Sequence, residues 1–349
     1  MANPNQAIEI MEKELYVAAR RGDVVFLKAD ISQSDEYLCK KTHENNNIIH
    51  LAIQHERHDF VEASLRRLLP INSELIWERN SKGNTPLHVA AEVGNLSILS
   101  LLFKYLEKAG EKPLRVQNSK GNTPLHVALI HQNAQFARFL LDEDPDLAYI
   151  VNDSKEAPLH LAIKHQVNYS ENKTIIAKVE RPINKAGPAL ATKPVIGEDM
   201  LSIIEYLAEN WSYVTCWPDA NGSTPLHKAA SLSAPYNLQV IRTILHHSPL
   251  SAEICDASGN SILHLMISRM LDYQECKDLL EIPEVYDLRN YQDQQGNTPL
   301  HIAAKNMDIN MVRVLLESST KLLNNIEGIS AASLIQQNNL LEVQTITFN

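Results

Sequence analysis

The residues best able to do chemistry in this chain are its 14 histidines and 4 cysteines, so the first question is whether any of them gather. The stretch CKKTHENNNIIHLAIQHERH brings together Cys39, His43, His50, His55 and His58. Helical spacing could bring His55 and His58 onto one face, yet no standard zinc spacing is present, and surface histidines are the expectation. His246 and His247 precede Cys255, a pairing that raises nucleophilic thiol chemistry. Adjacent helical positions point apart and the cysteine falls in the next loop, so catalysis is not expected there. Glycine-rich phosphate loops, the G-x-S-x-G elbow and H-E-x-x-H are all missing from the text.

Seven histidines recur in one short context. GNTPLHVA occupies residues 83 to 90 and again 121 to 128, and GNTPLHIA occupies 296 to 303. His50, His88, His126, His160, His227, His264 and His301 are spaced 38, 38, 34, 67, 37 and 37 residues apart. The doubled interval implies a decayed unit, and Ala191 stands in the histidine slot there, 31 residues after His160 and 36 before His227. Tyr16 holds the slot at the front and Ser333 at the back. An active site is needed once, whereas a string repeated at a fixed period marks architecture.

The surrounding letters say which elements position these rings. Thr85, Thr123, Thr224 and Thr298 can cap exposed N–H groups at a helix start. Pro86, Pro124, Pro158, Pro225 and Pro299 follow or begin that start, where a missing N–H costs nothing and φ is already helical. Leu87 with Ala90 and Ala91 faces neighbouring helices at close range. Second helices follow as apolar stripes, LSILSLLFKYL from 96, AQFARFLLDE from 134 and INMVRVLLES from 309. Gly83, Gly121, Gly222, Gly259, Gly296 and Gly328 lie five residues before the slot, at a turn where positive φ is expected. Each unit therefore reads as helix, turn, helix, and the slot histidines are expected to bond nearby backbone and the threonine hydroxyl of their own or an adjacent unit.

A period near 33 with T-P-L-H-x-A resembles the ankyrin repeat. The resemblance runs from about residue 8 to 340 and implies an all-α solenoid of about ten helix-turn-helix units joined by β-hairpin-like loops. The units fall at about 8–41, 42–79, 80–117, 118–151, 152–182, a degenerate 183–218, 219–255, 256–292, 293–324 and a C-terminal cap at 325–349. They form one array over 1–349. Around the degenerate unit the regular Thr-Pro start gives way to Gly187-Pro188, so weak stacking and a flexible joint are expected over residues 166 to 199.

Stacked repeats leave a curved inner surface of hairpin tips and first helices. In ankyrin proteins partner contacts favour the residues flanking the turn glycine and the pair after Ala-Ala. Carried over by slot, the resemblance points to Ser81, Lys82, Asn84, Glu92 and Val93, then Ser119, Lys120, Asn122, Ile130 and His131. It continues with Asp153, Ser154, Lys164 and His165, then Ala220, Asn221, Ser231 and Leu232, then Ser268 and Arg269, and last Gln294, Gln295, Lys305 and Asn306.

ELYVAARRGD at the front, an Ala-Leu unit after the fifth and GNTPLHIAAKNMDINMVRVLL near the end further resemble the plant accelerated-cell-death type of ankyrin protein. That group usually continues into transmembrane helices and acts in immune and cell-death signalling. The resemblance thus implies protein partners, admits homo-oligomers, and brings a rival reading as the cytosolic domain of a channel-like or transport-associated membrane protein.

Bulk composition agrees with a folded binding module. Hydrophobic residues make up 44% and charged residues 21% of the 349 positions, which suits a globular chain rather than a disordered one. A formal charge of −10 repels nucleic acid and anionic membrane. The cysteines show no C-x-x-C pair, which suits reduced thiols in the cytoplasm. No apolar run reaches the roughly 18 residues of a membrane span, and the first residues lack the shape of a signal peptide. Plasma-membrane association is expected only if the full-length protein carries such spans. No cofactor or enzymatic activity is expected.

Overall fold

The computed structural model describes residues 11–28, 35–70, 72–109, 113–165, 200–232, 236–267, 269, 271–318, 321–338 and 340. They contain helices and no strand, with an isolated antiparallel bridge between Asn324 and Ser330. The chain divides into two compact bodies, the first running to Leu161 and the second from Ile204.

In the first body the helices are α1 (Lys13–Arg21), α2 (Val24–Lys28), α3 (Asp35–Leu38), α4 (Ile48–Gln54), α5 (His58–Leu68), α6 (Pro86–Val93), α7 (Leu96–Ala109), α8 (Pro124–Ile130), α9 (Ala134–Glu143) and, starting at its end, α10 (Pro158–Lys164). First helices stack on first helices, α1 on α4, α4 on α6 and α6 on α8. Second helices form the next layer, α5 against α7 and α7 against α9. The first helices are short and buried almost all round; Leu125, Ala128 and Leu129 have no exposure, so they act as the core of the stack. The second helices bury one stripe, Ile98, Leu99 and Leu102 in α7, at the i, i+1, i+4 spacing of an amphipathic helix. Phe103 meets Phe139 edge-on at 4.9 Å between α7 and α9, a favoured aromatic geometry.

After α11 (Met200–Asn210), the second body repeats the scheme with α12 (Pro225–Ala230), α13 (Tyr236–His247), α14 (Ile262–Ile267), α15 (Tyr273–Leu280), α16 (Pro283–Tyr286), α17 (Pro299–Lys305), α18 (Ile309–Glu317) and α19 (Ala331–Gln337). Here α12 packs on α14, α14 on α17 and α17 on α19. Short 3₁₀ turns such as Pro145–Tyr149 and Pro249–Glu253 lead from second helices to the next hairpin, which is where the text lengthens beyond 33 residues. Ala191, Gly187-Pro188 and the joint expected over 166–199 lie outside the described residues, as does Ser268.

Among the described residues, two backbone slots recur in left-handed geometry. The turn glycines have φ between +71° and +78°, as their slot predicts. The hairpins lacking glycine fill the same slot with Asn45 at +58° and Lys155 at +56°. A second left-handed slot closes the first helix: Gly22 and Gly94 occupy it in two units, Glu56, Gln132 and Met307 in others. In that turn the next unit adds a cap, Asn133 Nδ2 donating to the Ala91 carbonyl at 2.8 Å and Asn338 Nδ2 to the Ala304 carbonyl at 3.0 Å. Orphan carbonyls of one helix are thus satisfied by its neighbour.

Candidate interaction surface

Among the described residues, each hairpin is organised by one side chain, eight residues before the histidine slot. Asn80 Oδ1 accepts the N–H groups of Lys82 and Asn84, both at 3.0 Å. Asn118 does the same for Lys120 and Asn122, and Asn152 for Ser154 and Glu156. In the second body Asp219, Asp256 and Asp293 accept the equivalent pairs, and Asn325 accepts those of Glu327 and Ile329. An Asx side chain that pairs two consecutive turn donors imitates a backbone turn.

The carboxamide does more than the carboxylate. Asn118 Nδ2 also donates to Asn84 Oδ1 at 2.8 Å, Asn80 Nδ2 to Asn46 Oδ1 at 2.9 Å and Asn152 Nδ2 to Asn122 Oδ1 at 3.1 Å. An aspartate has no donor to offer, so at Asp256 and Asp293 the bond turns inward, from Asn260 and from Asn297, whereas Asn325 Nδ2 again donates between hairpins, to Asn297 Oδ1 at 3.0 Å. Asp219 instead pairs with Lys228 at 2.5 Å. Hydrogen bonds hold the carboxyls of Asp219 and Asp256 below the usual range, although burial, the largest single influence on each, pushes the other way. Asn118→Ala removes both the turn acceptor and the interhairpin donor; it is expected to cost about 2 kcal/mol in urea unfolding.

This ladder corrects the assignment of Asn84 and Asn122 to a partner-facing surface. Both are buried, 6% exposed, and their side-chain oxygens are already taken by the next hairpin. Asn80, Asn118 and Asn152 were missed, although their constant place before the histidine slot is visible in the text.

The slot histidines form the second layer of bonding. Thr85 N–H at 3.2 Å and Thr85 hydroxyl at 2.8 Å both reach His88 Nδ1, and the same pair recurs at Thr123–His126, Thr224–His227, Ser261–His264 and Thr298–His301. At His160 the Ala157 N–H donates at 3.2 Å. A backbone N–H can only donate, so Nδ1 carries no proton and Nε2 does. That Nε2–H then donates across the joint: His88 to the Asn122 carbonyl at 3.0 Å, His126 to Glu156 at 3.3 Å, His227 to Asn260, His264 to Asn297 and His301 to Ile329, each at 3.1 Å. The motif is a capping box with histidine in the place usually held by Glu or Gln. Burial drives the rings of His88 and His126 down to about 4, and lowers His227, His264 and His301. The hydroxyls expected as helix caps have the imidazole as their main partner; Thr123 Oγ1 additionally accepts His126 N–H at 3.4 Å.

These bonds set the hairpin tips side by side. Ser81 N–H donates to the Glu44 carbonyl at 2.8 Å, Ser119 to Lys82 at 3.1 Å and Asp153 to Lys120 at 3.2 Å. In the second body Gln294 bonds Ser258 and Ile326 bonds Gln295 in the same way. Ser81, Lys82, Ser119, Lys120, Asp153, Ser154, Ala220, Asn221, Gln294 and Gln295 are exposed at these tips. At the first-helix ends Glu92, His131, Lys164, Ser231, Arg269, Lys305 and Asn306 are exposed, and Val93, Ile130, His165 and Leu232 half-buried.

The other chemical groupings are not brought together. Among the described residues, no group of three or more His, Cys, Asp or Glu is placed to hold a metal. His55 has its proton affinity lowered by burial and by Arg20 and Arg57, while His58 faces Asp59 at 3.5 Å. The rings of His246 and His247 meet edge-on at 4.8 Å and line an opening of about 500 Å³ with Glu205, Arg242 and Glu284. Cys255 does not line it, and burial followed by the Asp256 charge pushes its thiol up, away from the nucleophilic thiolate. No helix among the described residues is long and apolar enough to cross a membrane.

A family model described as ankyrin repeats (3 copies) matches residues 15–113, 104–177 and 232–327. Among solved structures, the ankyrin repeat domain of Bcl-3, described as a unique member of the IkappaB protein family, aligns with a TM-score of 0.55 at 20% identity, covering 72% of this chain and 94% of that one. The human ASB11 ankyrin repeat domain aligns with a TM-score of 0.50 at 19% identity, covering 73% and 91%. No curated protein sequence matches significantly. The chain belongs to the ankyrin-repeat family, and its fold is an ankyrin-repeat solenoid. Ankyrin repeats are generic protein-protein interaction modules.

Proposed function

We propose that this chain is a non-enzymatic scaffold, one array of about ten units, that grips protein partners along its hairpin tips and first-helix ends. The observation that carries this reading is the doubly bonded ladder. Imidazole and asparagine bonds hold successive loops in register while leaving Ser81–Lys82 and Ser119–Lys120 exposed at their tips. A surface ordered before binding loses little entropy on contact. The finer reading is a plant immune or cell-death regulator working in the cytoplasm, supported by the resemblance of ELYVAARRGD and GNTPLHIAAKNMDINMVRVLL to the accelerated-cell-death type.

The test is affinity capture with the native chain beside a triple variant, Lys82→Glu, Glu92→Lys and Lys120→Glu, all exposed sites in the first body. Partners held by the native chain are expected to fall at least tenfold in the variant, with helicity unchanged. Equal retention by both proteins would remove these tips from the binding surface. A metal assay alongside speaks to catalysis, since one zinc per chain would reopen that reading.

A further inference from the structure

Six of the seven slot imidazoles take a backbone N–H on Nδ1, at 3.1 to 3.2 Å. His50 does not. Its Nδ1 lies 2.7 Å from Asn47 Oδ1, and its Nε2 lies 2.9 Å from the Asn84 carbonyl oxygen. Both neighbours are oxygens that can only accept.

Turning the Asn47 amide round does not remove the conflict. Its Oδ1 already accepts the N–H groups of Ile49 and His50, each at 3.1 Å, and its Nδ2 donates to the Leu75 carbonyl at 2.9 Å and to Glu78 Oε2 at 2.8 Å. Reversal would oppose like poles at all four contacts. Rotating the ring would place carbon where 2.7 and 2.9 Å oxygen contacts now stand. A neutral imidazole has one proton for these two acceptors in either tautomer, whereas the imidazolium has two.

We propose that His50 is a proton-operated joint, in which uptake of a second proton completes the bonds to Asn47 and to the 80–84 hairpin. In its siblings a second proton would instead evict the N–H that Nδ1 accepts. The groups facing the ring pull in both directions. Burial, the largest influence, brings it down to about 4 even with the Asn84 carbonyl pulling the other way, and the charges of Lys41 and His88 act with burial. Outside that balance stand the Asn47 oxygen at 2.7 Å and the Glu78 carboxylate behind the Asn47 amide, itself paired with Lys41 at 2.9 Å. The sequence cause is a single exchange, Asn47 where the sibling units carry Thr, Ser or Ala. A hydroxyl can donate to Nδ1 and a carboxamide oxygen cannot. The 80–84 hairpin carries the exposed Ser81–Lys82 tip, so the number of protons on His50 sets how many bonds tie that hairpin to the ring.

Nitrogen-detected NMR of the histidine rings on the full chain, followed through a pH titration, tests this directly. His50 is expected to take its second proton with at least tenfold higher affinity than His88, and Asn47→Thr to bring it down to the His88 value. A second variant, Asn47→Asp, keeps the acceptor and adds charge, and is expected to raise the affinity further. If His50 titrates together with His88, or if neither variant moves it, the proposal is overturned. These outcomes do not depend on partner capture, so they stand or fall apart from the scaffold reading.

Discussion

Acidification from pH 7 to pH 5 is expected to lower the unfolding free energy by several kcal/mol. The rings of His88 and His126 sit at about 4 in the folded chain, against an ordinary value near 6.5 when unfolded. Between these values the unfolded chain binds more protons, so stability rises with pH across the window. It is complete above about 6.5 and is lost as pH falls toward about 4. Each of these two rings contributes on the order of 2 kcal/mol by pH 5, and His227, His264 and His301 shift in the same direction. Below the carboxylate range Asp219 and Asp256, whose folded values are lowered, add a further loss with the same sign. Urea midpoints measured every half pH unit check this. A midpoint that is flat from pH 7 to pH 5 would mean that the slot histidines are not buried neutral rings.

The second large effect is steric. Gly121→Ala is expected to cost about 3 kcal/mol, and Gly328→Ala about 1 kcal/mol, although their φ angles are nearly the same at +71° and +76°. The conformational penalty of a Cβ at positive φ, roughly 1 to 2 kcal/mol, is common to both. At Gly121 the added carbon would also stand 2.5 Å from the Asp153 backbone nitrogen, the donor that bonds the Lys120 carbonyl between hairpins. At Gly328 nothing lies within 4 Å. The difference in denaturant midpoint between the two variants isolates the stacking contact from the backbone preference. Equal losses would show that the joint yields without cost and that only φ matters.

The repeat period, the helix starts at Thr-Pro and the left-handed turn at glycine were all legible, because each follows from local chemistry within a few residues. Lys155 and Asn45 were less visible in the glycine slot, since a side chain can be forced to positive φ by the bonds around it. The candidate site was legible only in outline. Ser81, Lys82, Ser119 and Lys120 are exposed, while Asn84 and Asn122 are internal. An asparagine beside a turn reads the same whether its amide meets water or another amide.

What the sequence by itself determined is therefore the unit: where a first helix begins, where its loop must bend, and at which seven slots an imidazole stands. What only the tertiary structure decided is which partner each polar group finds. His88 and His50 occupy the same slot, yet one is satisfied by a single proton and the other faces two acceptors. At both rings the acceptor at Nε2 comes from 34 positions away, Asn122 for one and Asn84 for the other, and only packing supplies it; the difference lies at Nδ1, where Asn47 stands in the place of Thr85. Local propensity acts through neighbours along the chain, while a hydrogen bond is settled by the oxygen or nitrogen that packing brings within 3 Å.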